Sequence, residues 1–236
     1  SVGIMMLFEE GKLALNDPLS KFIPAFREMK VLQRGSPGTE PSIVPARRQI
    51  TVRDLLTHRS GLTYGFLETA QVGAAYRDGG VNDGLTVVEF PLDQNMERLA
   101  KAPLVSQPGA EWHYSLSTDV LGRVIEVASG QSLYQFEKAA LFDPLGMTAT
   151  KFFLTDPAER ARYAHRLPAD RRVERNPLDV TRWESGGGGL VSTVGDLARY
   201  AQMLLNGGTL DSRLYLSPQT FAEMTTDHIG PGTGVA

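Results

Sequence analysis

A mixed α+β fold in which helix predominates is what this chain predicts, on three observations. Capped, amphipathic helical segments recur along its 236 residues, about eight in all when read by period and cap. Strand candidates are few and weak, chiefly KFFL (151–154) and YAHRL (163–167). The composition, 42% hydrophobic and 22% charged, is that of a globular chain long enough to bury a core without disulfides or structural metals.

Residues 2–10 read as an apolar helix closed by Gly11, a residue suited to the left-handed position just past a helix end. Asn16-Asp17-Pro18 turns the chain, and KFIPAF (21–26) reads as extended. Residues 33–48, QRGSPGTEPSIVPARR, carry no period and are rich in Gly, Pro and Ser, so they read as a long surface loop. Thr51 with Asp54 three residues on is a capping-box pair, opening a short helix that Ser60-Gly61 ends. Residues 71–91 read as irregular with a brief extended stretch, and 93–101 as helix up to Pro103.

Behind a Pro108-Gly109 turn comes EWHYSLSTD (111–119), followed by the clearest helix. Val120, Leu121, Val124, Ile125, Val127 and Ala128 form its apolar face, and Gly130 stops it. Ser132 and Gln135 cap a further helix that is expected to end before Asp143-Pro144. SGGGGL (185–190) leads into a helix over 193–205 that Gly207-Gly208 ends, and Ser217-Pro218 is an N-cap and N1 pair for a last helix.

Several chemistries are excluded. The chain has no cysteine, so thiolate nucleophiles, disulfides and Cys-based metal sites are absent. Net charge is −3, and the Arg-rich stretch 159–175 is interleaved with acids, which describes a solvated face and not a nucleic-acid partner. No apolar run approaches the roughly 18 residues of a membrane span, so no membrane partner is expected. The opening SVGIMMLFEEGK lacks the basic region and cleavage site of a signal peptide, and a cytoplasmic setting is the expectation. It begins inside an apolar helix without a cap, as a cut chain would. No Gly-x-Ser-x-Gly, Walker A or dinucleotide motif occurs. The tetraglycine 186–189 is followed by a Thr193/Asp196 capping pair and reads as structural. His58, His113, His165 and His228 are too dispersed for a helical metal site, so each reads as a hydrogen-bonded structural histidine and no metal or cofactor is expected.

Five ordered blocks then resemble the serine β-lactamase and penicillin-binding superfamily, in its class C β-lactamase and family VIII carboxylesterase branch. They are EEGKLALNDPLSKFIP (9–24), ITVRDLLTHRSGL (50–62), PGAEWHYSLSTDVLG (108–122), FDPLGM (142–147) and GGGGLVSTVGDLARYAQMLLNGG (186–208). The resemblance implies one β-lactamase/transpeptidase-like domain over 1–236, its helical part beside an antiparallel sheet whose N- and C-terminal strands are largely missing. It also implies a serine hydrolase working through an acyl-enzyme. The family's three motifs are Ser-x-x-Lys, Tyr-x-Asn or a variant, and a Lys/His/Trp-x-Gly triplet on a C-terminal strand. By resemblance Tyr114-Ser115-Leu116 is the second motif, with Tyr114 catalytic and Trp112, Ser115 and Leu116 in contact with a small ester or β-lactam substrate. A serine hydroxyl needs a positioned base. A phenol, with an ordinary pKa near 10, serves as one where cationic neighbours favour its phenolate. Packing is an equal reading for Trp112 and His113, and Ser60 reads as a helix-end residue outside the nucleophile motif.

Two departures qualify the resemblance. Leu116 stands where β-lactamases and peptidases carry an Asn that bonds the substrate's acylamino group. An amide-bearing substrate would leave polar groups unpaired there, at a cost of about 1–3 kcal/mol. The reading therefore tilts toward a carboxylesterase on short-chain esters with weak β-lactam hydrolysis, the alternatives being a class C-type β-lactamase, a D-stereospecific peptidase or a transesterase. Second, no Ser-x-x-Lys occurs in the chain, and no third motif is recognised after the last helix. On the family pattern the nucleophile is expected about seven residues before Ser1. Two accounts follow: a segment of an active hydrolase, or an inactive fragment serving as a binding module.

Overall fold

Helix α1 (Val2–Glu9) is apolar on nearly every side because nearly every side is covered: Ile4 and Leu7 are wholly buried against α5 (Ser117–Ser129), and Met5 almost so. Full burial of such a side chain contributes about 1.5–3 kcal/mol, so α1 and α5 form the apolar spine of the molecule. The computed structural model describes residues 1–33, 40–68, 71–86, 89–164, 176–181 and 183–230. The Arg-rich segment 165–175 and the last six residues lie outside them, as does most of YAHRL.

After α1 the chain turns at Gly11 (φ +68°) and enters two 3₁₀ turns, Leu19–Lys21 and Pro24–Glu28. KFIPAF is therefore helical and not extended. Pro24 pre-sets the φ of a helical first position, and the turns bury Phe22, Ile23 and Phe26 together. The expected loop over 33–48 is also partly ordered. Strands β1 (Lys30–Gln33) and β2 (Ser42–Pro45) pair antiparallel with Val31 opposite Val44, and Leu104 joins them through bonds to Leu32 and Lys30.

Helix α2 (Val52–Leu56) begins with the capping box expected of Thr51 and Asp54. Asp54 is 7% exposed, and its carboxylate also receives both terminal nitrogens of Arg48, at 2.5 and 2.9 Å. Burial alone would raise its pKa, but these donors, with Thr51, outweigh it and hold the group below the usual carboxylate range. Helix α3 (Gln71–Asp78) replaces the irregular stretch expected over 71–91; it buries only Val72, Gly73 and Tyr76, too sparse a face to show as a period. Helix α4 (Leu92–Leu99) follows.

Helix α5 ends at Gly130 in the left-handed conformation, as expected, although Val127 at its far end is exposed. The Ser132/Gln135 capping box opens α6 (Leu133–Glu137). A π-helical segment, Lys138–Phe142, then carries the chain into α7 (Asp143–Leu145), so the helix does not stop before Asp143-Pro144. The widened turn accommodates a proline that lacks an N–H and would crowd a regular ladder. Helices α8 (Pro157–Ala161) and α9 (Val194–Leu205) follow, then the hairpin β3 (Thr209–Leu210) with β4 (Arg213–Leu214), and α10 (Pro218–Thr225) capped by Ser217. KFFL supplies only one bridging residue, Lys151, paired antiparallel with Val191. The described residues thus combine helices with small antiparallel ladders, and none of their helices is long and apolar enough to cross a membrane.

Asp54→Ala removes the cap and strands Arg48. It is expected to lower unfolding free energy by about 1–2 kcal/mol, read as a lower denaturant midpoint at unchanged slope. A midpoint equal to wild type would show that this junction contributes nothing.

Candidate active site

Tyr114 is exposed over 48% of its surface, while Ser115, Leu116 and Ser117 beside it are wholly buried. The backbone around Tyr114 is sewn to the turn after α2. His113 N–H donates to His58 O (2.9 Å), Leu116 N–H to Thr63 O (3.4 Å), and Val105 N–H to Gly61 O (2.8 Å). Gly61 has φ +80°, and a Cβ there would stand 2.3 Å from Ser106 O, so only glycine allows the two segments to close. Inside this seam runs a chain of hydroxyls: Ser60 Oγ to Ser117 Oγ (2.9 Å), Ser117 Oγ to Ser115 Oγ (2.8 Å), and Ser115 Oγ to His58 Nδ1 (3.2 Å). Ser60 and Ser115 serve this chain. It fixes the backbone on both sides of Tyr114 and leaves the ring free to project.

The projecting ring meets those of His58 and Tyr64, each at 5.2 Å between centroids. Tyr64 in turn stacks on Phe66 at 5.0 Å. Burial, then the nearby Asp119 charge and the Tyr114 hydroxyl, raise the Tyr64 phenol well above its ordinary value. Tyr64 therefore keeps its proton beside the Tyr114 ring. Burial shifts His58 the other way, lowering its pKa and favouring the neutral ring.

A cleft of about 250 Å³ opens over Tyr114, with Tyr64, Phe66, Asp83 and Tyr163 in its lining and the glycine turn 187–189 as its opposite wall. A larger cavity of about 510 Å³ lies on the other side of that turn, bounded by the start of α1 and by Phe142, Phe152 and Tyr200. The turn is held from both ends. Glu184 accepts from the N–H of Tyr134 (2.7 Å) at the start of α6. Asp119 Oδ1, in the first turn of α5, accepts from Ser185 Oγ (2.6 Å) and from Gly187 N–H (3.3 Å). A Cβ on Gly187 would lie 2.5 Å from the other Asp119 oxygen and 3.2 Å from the Tyr64 hydroxyl, so the tetraglycine lets the turn press against both. The glycines read as structural are structural in this sense, and they also wall the cleft.

The residues expected at the site are thus divided. Tyr114 lines the cleft. Leu116, expected to face substrate, packs wholly in the core: an alkyl side chain gains by burial and has nothing to bond in a wet cleft. Ser115 likewise faces inward, and the Trp112 ring is half-buried, edge-on to His58 at 6.0 Å. Neither is among the described residues that line the cleft. Tyr64, Asp83, Asp119 and Ser185 were not singled out from the sequence. The only local signal was the GLTYG run (61–65), a tyrosine between glycines just after the helix-end block. A His-x-Gly passed over in the sequence, His228-Ile229-Gly230, follows α10 in a turn closed by Asp227. His228 Nε2 bonds Glu223 O (2.6 Å), and the ring packs beside Arg53, so the triplet lies neither on a strand nor at the cleft. The described lining of the cleft contains no lysine or arginine.

His58 links the site to pH. Its folded pKa lies below that of the unfolded chain, near 6.5, so the unfolded state takes up a proton first as pH falls. Stability from this residue is complete above about pH 6.5 and declines below it, by at most about 1.4 kcal/mol per pH unit. His58→Asn, which tolerates the φ of +53°, is expected to flatten that part of a denaturation-versus-pH profile; an unchanged profile would refute the assignment.

The beta-lactamase family model matches residues 1–236. Protein Rv1367c of Mycobacterium tuberculosis is 37% identical over 231 residues, covering 95% of this chain and 56% of that protein. Esterase EstB of Burkholderia gladioli is 40% identical over 157 residues, 66% of this chain and 36% of EstB. The solved structure of EstCE1, described as a hydrolase with promiscuous acyltransferase activity, superposes with a TM-score of 0.70 at 29% identity, covering 94% of this chain and 58% of that one. The chain spans about half the length of such relatives. With a β-lactamase/transpeptidase-like fold, a tyrosine presented at a glycine-walled cleft and a family match along its whole length, this chain belongs to the beta-lactamase family.

Proposed function

We propose that the protein is a serine hydrolase that works through an acyl-enzyme on short-chain carboxylic esters, with Tyr114 as its proton carrier. The observation that carries this reading is the presentation of Tyr114: backbone locked on both sides, ring half-exposed at a cleft and packed against the rings of His58 and Tyr64. A group held in this way can pass a proton between a serine hydroxyl and a leaving alkoxide, an effect of about 10²–10⁴-fold when geometry is right. The nucleophile of this reading is a Ser-x-x-Lys serine, which the 236 residues do not contain, and its lysine would supply the positive charge that the described cleft lining lacks.

An esterase is favoured over a β-lactamase because position 116 offers no polar group to an acylamino substituent, its side chain being buried in the core. EstB is by name an esterase. Transfer of the acyl group to an alcohol is the second reading, favoured by the description of EstCE1; alcohol then takes the place of water at the acyl-enzyme.

In the full-length protein, Tyr114→Phe is expected to lower kcat on nitrophenyl butyrate by about 10²–10³-fold. Because the hydroxyl is at the surface of a cleft, unfolding free energy should move by no more than about 0.5 kcal/mol. Wild-type kcat/KM in the variant, or efficient cephalosporin turnover beside negligible ester cleavage in the parent, would overturn the assignment.

A further inference from the structure

His58 touches Tyr114 with its ring and the buried hydroxyl chain with a ring nitrogen. Its backbone is left-handed, at φ +53°, a region uncommon for residues other than glycine, though histidine is among those enriched there. Two backbone bonds hold it: His58 N–H donates to Leu55 O (3.2 Å), and His58 O accepts from His113 N–H (2.9 Å). The ring then lies 5.2 Å from that of Tyr114 and 6.0 Å from that of Trp112, with Nδ1 at 3.2 Å from Ser115 Oγ.

Which nitrogen carries the proton follows from the hydroxyls. Ser60, Ser115 and Ser117 are wholly buried, and each hydroxyl has one proton to give. Three contacts receive those three protons: Ser60 with Ser117, Ser117 with Ser115, and Ser115 with His58 Nδ1. The amides that also reach the chain, Leu62 N–H to Ser60 Oγ (3.2 Å) and Ser117 N–H to Ser115 Oγ (3.4 Å), occupy lone pairs and use no hydroxyl proton. A protonated Nδ1 would take the last contact as donor, and one hydroxyl proton would be stranded where solvent does not reach. All three protons are placed when Ser60 donates to Ser117, Ser117 to Ser115, and Ser115 to Nδ1. The imidazole proton is then on Nε2, and the bond at Nδ1 fixes the plane of the ring. Burial, which lowers the His58 pKa, favours the same neutral form. Of the neighbouring charges, Arg59 is turned to Gly109 O, and His113 pairs with Glu111 (3.0 Å).

We propose that His58 is a positioning residue for Tyr114: the hydroxyl chain locks its imidazole as the neutral Nε2–H tautomer, and the ring so fixed sets the angle at which the Tyr114 phenol meets the cleft. The inference rests on the hydrolase reading for its effect on turnover and on the hydroxyl contacts for the tautomer. The test uses the full-length protein with isotope-labelled histidine and tyrosine, observed by NMR near neutral pH. The histidine signals that His58→Asn removes are expected to show an unprotonated Nδ1 and a protonated Nε2. In that variant the amide oxygen can still accept from Ser115, and Asn tolerates the left-handed backbone, but the ring is gone. The Tyr114 ring resonances, assigned with Tyr114→Phe, are expected to move. On nitrophenyl butyrate kcat should fall about tenfold, with KM within about twofold. A residue that only braced the fold would lower the denaturation midpoint and leave kcat of the folded enzyme as it was. Ser115→Ala, which keeps the ring and withdraws its donor, should let the Nδ1–H form appear. A protonated Nδ1 in the parent, or parental kcat in His58→Asn, overturns the inference and leaves the hydrolase standing. An unprotonated Nδ1 with moved Tyr114 resonances, in a parent that cleaves no ester, supports the positioning and removes the hydrolase.

Discussion

The carboxylate of Asp119 joins the two walls of the cleft. It is 1% exposed, in the first turn of α5, where the helix dipole favours negative charge, and it accepts from Ser185 Oγ and Gly187 N–H across 66 and 68 residues of sequence. Without it two donors would be left inside the protein, each costing about 1–3 kcal/mol. Burial and, after it, the Asp119 charge raise the pKa of the neighbouring Tyr64 phenol. One buried anion thus fixes where the glycine turn lies. The cleft exists at its observed width because Gly186 and Gly187 have no side chains to push the turn away from α5.

The same economy governs Tyr114 itself. A loop tyrosine on a flexible tether would spend little time in a reactive geometry, and positioning errors near 1 Å are costly to catalysis. Here the backbone on either side is bonded to the 58–63 turn, and the hydroxyl chain Ser60–Ser117–Ser115–His58 fills the seam with matched donors and acceptors. Buried polar networks of this kind stabilise only when every member is satisfied, and Leu62 N–H adds a further bond to Ser60. Leu116, turned into the core one residue later, anchors the loop by burial. The alternation of an exposed ring with buried neighbours is what converts an ordinary helix-leading segment into a presenting device.

Local signals in the sequence read through faithfully where the physics is local. Thr51 with Asp54, Ser132 with Gln135 and Ser217 before Pro218 all cap helices, because a cap is decided within four residues. Gly130 and Gly11 take left-handed conformations for the same reason. The failures lie where contacts between distant residues decide. KFIPAF has the apolar density of a strand, but Pro24 and burial of three aromatic or branched side chains wind it into 3₁₀ turns. Helix α3 shows almost no period, since it touches the core through little more than Val72 and Tyr76. Tyr114 could be found from its flanking blocks. Asp119 could not, because its partners Ser185 and Gly187 lie 66 and 68 residues along the chain and it sits in no motif of its own; Tyr64 carried only the local hint of the GLTYG run. Leu116 was assigned to substrate contact from its place in a motif, and a side chain's direction is not written in a motif.

The account turns on Tyr114 being the group that faces the reacting centre across the glycine-walled cleft. The most direct measurement is a crystal structure of the full-length protein after covalent reaction with an alkyl phosphonate ester. The account predicts a phosphonyl group seated beside Gly187 and Gly188, with an oxygen within about 3.2 Å of the Tyr114 hydroxyl. A phosphonyl group bound elsewhere, with that hydroxyl directed into bulk solvent, would contradict it.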